Sequence, residues 1–478
     1  MGPNSSTKIN ADIIYPLGFV IGSELSWVPG NFKKVEFPCP LYMNSNTRYG
    51  FCIQPQRGAM VIGEVIHPDH AHWDKHDIAQ FLMFHWDNRQ AEIDKLVGRF
   101  AIILITEDGE IEIQTDAIGL RSVYFTTTEK NGIVAGSHAK LVARAANDGQ
   151  VKEVRQIHAL GYPGIDTSYV DVYRIPPNNA LSIRTGKLRR FFPIAPIVPT
   201  SLEESWDFAF TRAKQVVSGL ANRLERPVLM SLTGGLDSRS TLAATKGLWD
   251  KLDFFTYVSG QHPQHELDVM VASDIAAILG LRHQTVAYAD ISPNPHVINA
   301  IKSNSFSVHQ RNLSCAYFEF FGNQRYVHVR TNLMELARSN LYEHHGKNPA
   351  FLNGPNSAEK MAEYYCLAGK RELSETISGA FARQFNDANM RAALEYASPW
   401  DLFFIEHRMG AWQAAVVAES DVSFDTIIAF NSREIIKRFI GVPQETRSTS
   451  NYLQKKIRSL IPEISDIPIN PRNYTRSH

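Results

Sequence analysis

The sequence predicts an α/β and α+β chain in two domains: an amino-terminal β-layered half, then a half built on a parallel sheet with a helical carboxyl-terminal part. Three observations carry this. Residues 16–192 read as short β-type runs broken by turn residues; from about 202 to 331 helical and strand patterns alternate; and 357–460 reads almost wholly as helix. At 478 residues the chain is long enough to bury two or three cores.

The elements follow in order. "RFAIILITEDGEIEIQTD" (99–116) predicts two strands around Asp108-Gly109, a dipeptide suited to a hairpin turn. "GIVAGS" (132–137) and "NALSIRTGKLRRFFP" (179–193) continue in the same style. The proline-rich stretch "FFPIAPIVPTSLEES" (191–205) sits at a change of texture, and Thr200, Ser201, Glu203 and Glu204 form a helix start, so the boundary falls near 195, giving domains 1–195 and 196–478. Beyond it the sequence predicts helix 202–223, strand 227–232, helix 238–247, strand 253–258, helix 265–279, strand 283–288, helix 312–322 and strand 326–331. Such alternation means βαβ units, hence a parallel sheet with helices on both faces.

Basic and acidic residues balance at 49 each, so no global field draws the chain to nucleic acid or to an anionic membrane, and neither is an expected partner. Cys39, Cys52, Cys315 and Cys366 show no CxxC or zinc spacing, which suits reduced thiols. "MGPNSSTKIN" lacks the apolar core of a signal peptide, and no apolar run reaches membrane-spanning length; the expectation is a cytoplasmic protein. "MGPNSS" formally fits the myristoylation pattern, with Pro3 weighing against it.

"PVLMSLTGGLDSRSTLAA" (227–244) carries the chemistry. An apolar strand stops at Ser231 and a helix follows, and the carboxyl ends of parallel strands are where ligands bind. Gly234 and Gly235 allow a sharp turn and close backbone approach, the helix presents amide N–H groups, Thr233 and Ser238 add hydroxyls, and Asp237 offers a carboxylate for Mg2+. The plainer reading is a tight strand-to-helix turn with Asp237 as a cap. The GxxxxGK(S/T) and GxGxxG patterns are both absent here, so the loop is of another kind.

"LTGGLDSR" resembles the pyrophosphate-loop signature SGGxDS of ATP pyrophosphatases, with Thr233 for the first serine. Ahead of it, "LVGRFAIILITEDGEIEIQTDAIGLRSVYF" is similar to the amino-terminal domain of asparagine synthetases, in which a strand pair leads to a turn matched here by Asp116, Gly119, Arg121 and Tyr124. "YRIPPNNALSIRTGKLRRFF" and "FDTIIAFNSREIIKRFIGVPQE" extend the likeness over roughly residues 50–472. The resemblance implies an Ntn-hydrolase-like β-layered domain, then an ATP-pyrophosphatase synthetase domain. Glutamine-dependent members begin with a nucleophilic cysteine; this sequence begins Met-Gly-Pro, so glutamine hydrolysis is not expected. The arrangement then resembles β-lactam synthetases, natural-product enzymes that adenylate a carboxylate for attack by an amine.

The resemblance implies ATP and Mg2+ as cofactors. Ser231, Thr233, Gly234, Gly235, Leu236, Asp237, Ser238 and Arg239 would hold phosphates, and Val258 and Ser259 would lie against adenine, with Glu266 and Asp268 as further acids or helix caps. Relatives carry a GxGxDE loop after a strand; "YVHVRTNLMELARSNLY" (326–342) puts Met334 on its aspartate and Glu335 on its glutamate, flanked by Arg330 and Arg338. Asp237 and Glu335 are thus the expected metal ligands, and Glu335, Arg330, Arg472 and Lys455 the expected catalytic groups, Arg472 standing where relatives carry a lysine that closes over pyrophosphate. The plainer readings are an exposed first-turn acid for Glu335 and a solvated tail around Arg472. The expected function is an AMP- and pyrophosphate-forming amide-bond synthetase or cyclase acting on a small molecule or peptide that bears a carboxylate and an amine acceptor, with a homodimer open as its assembly. The alternative is a non-catalytic or regulatory homologue that only binds nucleotide; a sulfur-transfer enzyme of the same loop type is disfavoured by the unpaired cysteines.

Overall fold

The structure, a computed structural model, describes residues 13–128, 132–152, 161–223, 226–260, 262–289, 291–322, 326–346 and 357–474. The strands of the first half are β1 (Phe19–Gly22), β2 (Phe32–Val35), β3 (Leu41–Asn44), β4 (Tyr49–Gln54), β5 (Arg57–Ile66), β6 (Val97–Ile105), β7 (Ile111–Thr115), β8 (Tyr124–Thr127), β9 (Ile133–Gly136), β10 (Tyr173–Arg174), β11 (Asn179–Ser182) and β12 (Leu188–Arg190). They form two antiparallel sheets, ordered β10-β8-β9-β1-β3-β2 and β12-β11-β7-β6-β5-β4. The expected hairpin is β6–β7, and Gly109 in its turn takes a φ of +74°, as the Asp-Gly reading requires.

Strand alternation stacks the sheets. Phe19, Ile21, Leu41 and Met43 of one sheet meet Met60, Ile62, Ala101 and Ile103 of the other. The intervening residues Val61, Phe100 and Ile102 face helices α1 (Lys75–Phe84) and α2 (Arg89–Lys95) through Ile78, Leu82 and Ile93. On the far side Val20 and Val134 pack on α3 (Ala139–Ala145). The half is β-layered, as the resemblance implies, with helices outside both sheets.

The second half is built on a parallel sheet of β13 (Val228–Ser231), β14 (Leu252–Val258), β15 (His283–Ala287), β16 (Val327–Arg330) and β17 (Asp425–Ile428), ordered β15-β14-β13-β16-β17. Every neighbouring pair is parallel. Its helices include α4 (Leu202–Arg223), α5 (Leu236–Ala244), α6 (Pro263–Leu279), α7 (Pro295–Asn304), α8 (Arg311–Phe321) and α9 (Met334–Ala337). Val228, Met230, Val327 and Val329 pack with residues of α4, α5 and α6, while Leu229 and Phe255 pack with Leu313, Tyr317 and Phe321 of α8. Both faces are covered, which is why these strands read as near-continuous apolar runs.

Two expectations are corrected. β17 lies inside 357–460, read as helical; four apolar-rich residues carry no usable period, and only the open edge beside β16 makes them a strand. α5 starts at Leu236 rather than 238, because Gly235, extended at φ −78°, is already its cap residue.

One core crosses residue 195. Ile66, Val97, Ile118, Leu120 and Phe192 pack in the same cluster as Trp206, Phe210, Phe430 and Phe439. Buried ion pairs cross it too: Arg99 grips Asp421 at 2.5 and 2.7 Å, and Arg190 grips Glu406 at 2.6 and 3.1 Å. The turn at Asp116 belongs to this seam. Its carboxylate accepts the N–H groups of Leu120 (2.9 Å) and Arg121 (2.7 Å) and the amide of Asn431 (2.8 Å), while Gly119 turns at φ +65°.

Candidate active site

Strand order places the site. Leaving β13, the chain runs first to β14 and β15 on one side, then crosses to β16 and β17 on the other, so the connections diverge between β13 and β16. A crevice opens at the carboxyl ends of such a strand pair. A cavity of about 250 Å3 lies there, lined by Ser231, Thr233 and Gly235–Ser238 after β13 and by Arg330–Asn332 after β16.

The loop is fastened from within. The Thr233 N–H donates to Ser238 Oγ at 3.1 Å, the Gly235 N–H to Thr233 Oγ1 at 3.1 Å, and the Gly234 N–H to Asp268 Oδ1 at 2.9 Å. The first N–H groups of a helix have no intrahelical acceptor, and Leu236, Asp237 and Ser238 of that first turn all line the cavity. The arrangement offers amide donors and two hydroxyls to an anion.

Charge gathers around one end. The Arg338 guanidinium donates to Asp237 Oδ1 at 2.5 Å, with both side chains about a quarter exposed. Burial, and next the nearby Glu335 charge, push the Asp237 carboxyl up to about 7, against the pull of Arg338. Glu335 Oε2 is buried without a hydrogen-bond partner. Arg330 is half-buried in the cavity wall, and its guanidinium has no hydrogen bond or ion pair among the described residues. His328, also on the wall, is 2 % exposed; burial holds its imidazole neutral, its Nδ1 meets Thr426 Oγ1 at 3.2 Å, and its Nε2 has no partner. Thr331 Oγ1 and Asn332 Oδ1 are likewise buried and unpaired. Such orphaned polar atoms around one cavity mark it as built for a polar ligand.

Ser231, Thr233, Gly235, Leu236, Asp237, Ser238 and Arg330 thus line one cavity, and Glu335 lies close enough to Asp237 to bias its charge. Gly234 sits over Asp268, which fastens the loop rather than capping its own helix. Val258 and Ser259 end β14 beside the loop, yet it is Tyr257 that lines the cavity; the Ser259 hydroxyl is within 2.9 Å of His265 Nδ1.

Three positions depart from expectation. Arg239 turns away from the cavity, because its place on α5 points it into the carboxyl-terminal segment, where it donates to the carbonyls of Ile467 (2.8 Å) and Pro468 (2.5 Å). Lys455 is exposed on helix Tyr452–Leu460, which buries Leu453 and Ile457 instead. Arg472 is exposed and off the cavity wall; from the same segment it is Asn470 that reaches the site, its N–H donating to the Gly234 carbonyl at 3.0 Å. Tyr257, Tyr317, His328, Thr331, Asn332 and Asn470 were not expected here. A polar His328 between the buried Val327 and Val329 is the one sequence signal that could have found any of them.

The donor set does not fit the expected Mg2+. Asp237 is already engaged by a guanidinium; Met334 is fully buried in the core, since Leu333 at φ +85° turns the chain inward there. Among the described residues no group of three or more His, Cys, Asp or Glu could hold a metal ion. Cys39, half-buried, has its thiol pushed up to about 12 by burial, far from a nucleophile's range, and residues 1–12, including the myristoylation pattern, lie outside the described residues. Among the described residues no helix is long and apolar enough to cross a membrane.

No family model matches the sequence, and no curated protein matches it. Among solved structures, the chain is similar to "the allosteric regulatory enzyme of purine biosynthesis", at 13% identity over 50% of this chain and a TM-score of 0.24; it spans 58% of that chain. It is also similar to glutamine phosphoribosylpyrophosphate amidotransferase from B. subtilis, whose structure is a complex with ADP and GMP, at 12% identity over 78% of this chain and 88% of that one, again with a TM-score of 0.24. Likeness at that level carries no argument about activity, and the site's own geometry has to supply it.

Proposed function

We propose that the chain is an ATP-dependent, AMP- and pyrophosphate-forming amide-bond synthetase or cyclase. The observation that carries this reading is the loop Ser231–Ser238 facing Arg330, unpaired among the described residues, across the divergence of β13 and β16. Amide donors, hydroxyls and a guanidinium around one small cavity suit the leaving pyrophosphate of a nucleoside triphosphate.

In this reaction a substrate carboxylate oxygen attacks the α-phosphorus, and the bond to the bridging oxygen breaks. The electron pair leaves with pyrophosphate, held by the first-turn amides of Leu236, Asp237 and Ser238 and by Arg330. An amine then attacks the acyl carbon, AMP departs, and the amine proton passes to a base; Glu335, with a free buried oxygen, is the candidate. A second cavity of about 520 Å3 shares Tyr257 with the first and has Lys302 and Arg311 on its rim, so it offers room for the substrate beside the phosphates.

One observation favours a second reading, nucleotide binding without turnover: the Asp237 carboxylate is engaged by Arg338. Carboxylate-dependent exchange of labelled pyrophosphate into ATP tests the first reading, and AMP is the expected nucleotide product. ATP binding with no exchange and no AMP across a broad panel of amino-carboxylates would leave the second.

A further inference from the structure

The geometry points to a phosphate site that works without a divalent cation, the guanidinium of Arg338, seconded by Arg330, standing where a metal would bridge Asp237 to phosphate. This rests on the reading that the loop Ser231–Ser238 holds phosphate.

The backbone builds this arrangement. Leu333 at φ +85° and Ser339 at φ +52° bend the chain on either side of α9, and a leucine in the left-handed region is costly enough to need a purpose. Between the two bends Met334 goes into the core and Arg338 comes back over the loop, its Nη2 on Asp237 and its Nε 3.4 Å from the Met334 carbonyl. The guanidinium has further N–H groups to offer a phosphate while keeping Asp237, since it carries five donors in a planar fork.

Charge balance agrees. Arg338 acts on Asp237 and Arg408 on Glu335, so each acid already faces a guanidinium before a ligand arrives. A bound Mg2+ demands oxygen ligands at short range and would have to share the Asp237 carboxylate with Arg338, which already holds Oδ1. The unpartnered Nε2 of buried His328 on the same wall adds a neutral group for the ligand, independent of either arginine.

The test is calorimetric titration of inorganic pyrophosphate into the full chain, with EDTA and again with excess Mg2+. Binding in EDTA within about threefold of that in Mg2+ is expected. In Arg338→Ala, affinity in EDTA should drop roughly tenfold or more, the worth of a charged hydrogen bond, and Mg2+ should restore part of it by occupying the freed Asp237. Wild-type binding only with Mg2+ would overturn the proposal and leave the phosphate site standing. No binding under either condition would overturn both. Undiminished affinity of a folded Arg338→Ala in EDTA would also overturn the role of Arg338, and the wild-type comparison decides the metal question even if that variant fails to fold.

Discussion

Asp237 concentrates the electrostatics of the site in one carboxyl group. Burial and Glu335 raise it to about 7 while Arg338 lowers it, so each neighbour has a definite sign. Glu335→Gln should move the Asp237 titration down and Arg338→Ala should move it up, which carboxyl 13C chemical shifts against pH can follow. The same shift reaches stability. The unfolded carboxyl titrates near ~4 and the folded one near 7, so the fold bears a penalty that grows as pH rises between those values and is complete above them. Asp237→Asn should therefore stabilise the chain at pH 8, by at most about 4 kcal/mol, and leave it unchanged at pH 3. Thr233, Gly235, Asp237 and Ser238 were legible in the sequence because they fall within one run of six residues and their chemistry is local. Asn470 and His328 were not, since each reaches the site through a tertiary contact or a single odd residue in a strand.

The carboxyl-terminal segment acts as a strap over α5 and its loop. Arg239 holds the carbonyls of Ile467 and Pro468, Asn470 bonds Gly234, and Tyr474 Oη donates to Asp274 at 2.7 Å. Burial pulls the Arg239 guanidinium down to about 10, which leaves it charged at neutral pH. Arg239→Ala should cost about 2–3 kcal/mol, the loss of charged hydrogen bonds to buried carbonyls, and should speed tryptic cleavage at Lys455, Lys456 and Arg458; Arg239→Lys should recover part of both. Among elements, the β6–β7 hairpin was readable because its turn is written in adjacent residues, and the β13–α5 unit because an apolar run gives way to paired glycines and a helical pattern, though its cap proved to be Gly235. β17 was not, because a strand of four residues is defined by the sheet edge it joins rather than by its own period.

At the scale of the molecule the two halves share a core and a seam of buried charge, so they should unfold together. Arg190 and Glu406 are 1 % and 0 % exposed, and Asn178 and Gln384 complete the bonds of the acid, so removing either charge strands the other in the interior. Glu406→Ala should lower stability by about 3–5 kcal/mol and shift one single denaturant transition, read by fluorescence and circular dichroism alike; two separate transitions would contradict a shared core. The composition change near 195 was legible, but the core that crosses it was not, since nothing in a linear pattern says that Ile66 and Phe192 will pack in the cluster that holds Trp206. All this framework surrounds one crevice, where we propose that ATP lodges its phosphates. Gly235 has an ordinary φ of −78°, and a Cβ on it would lie 3.2 Å from Thr233 Oγ1 and 3.3 Å from Asn470 Oδ1, both on the cavity wall. Gly235→Val should therefore push into the site, displacing the Thr233 and Asn470 side chains by a few tenths of an ångström without requiring a forbidden backbone. The most direct measurement is calorimetric titration of ATP into wild type and Gly235→Val side by side: binding to wild type is expected, with a loss of roughly tenfold or more in a variant that still melts in one cooperative transition. Equal affinity in the two proteins, or no binding to wild type, would contradict the proposal.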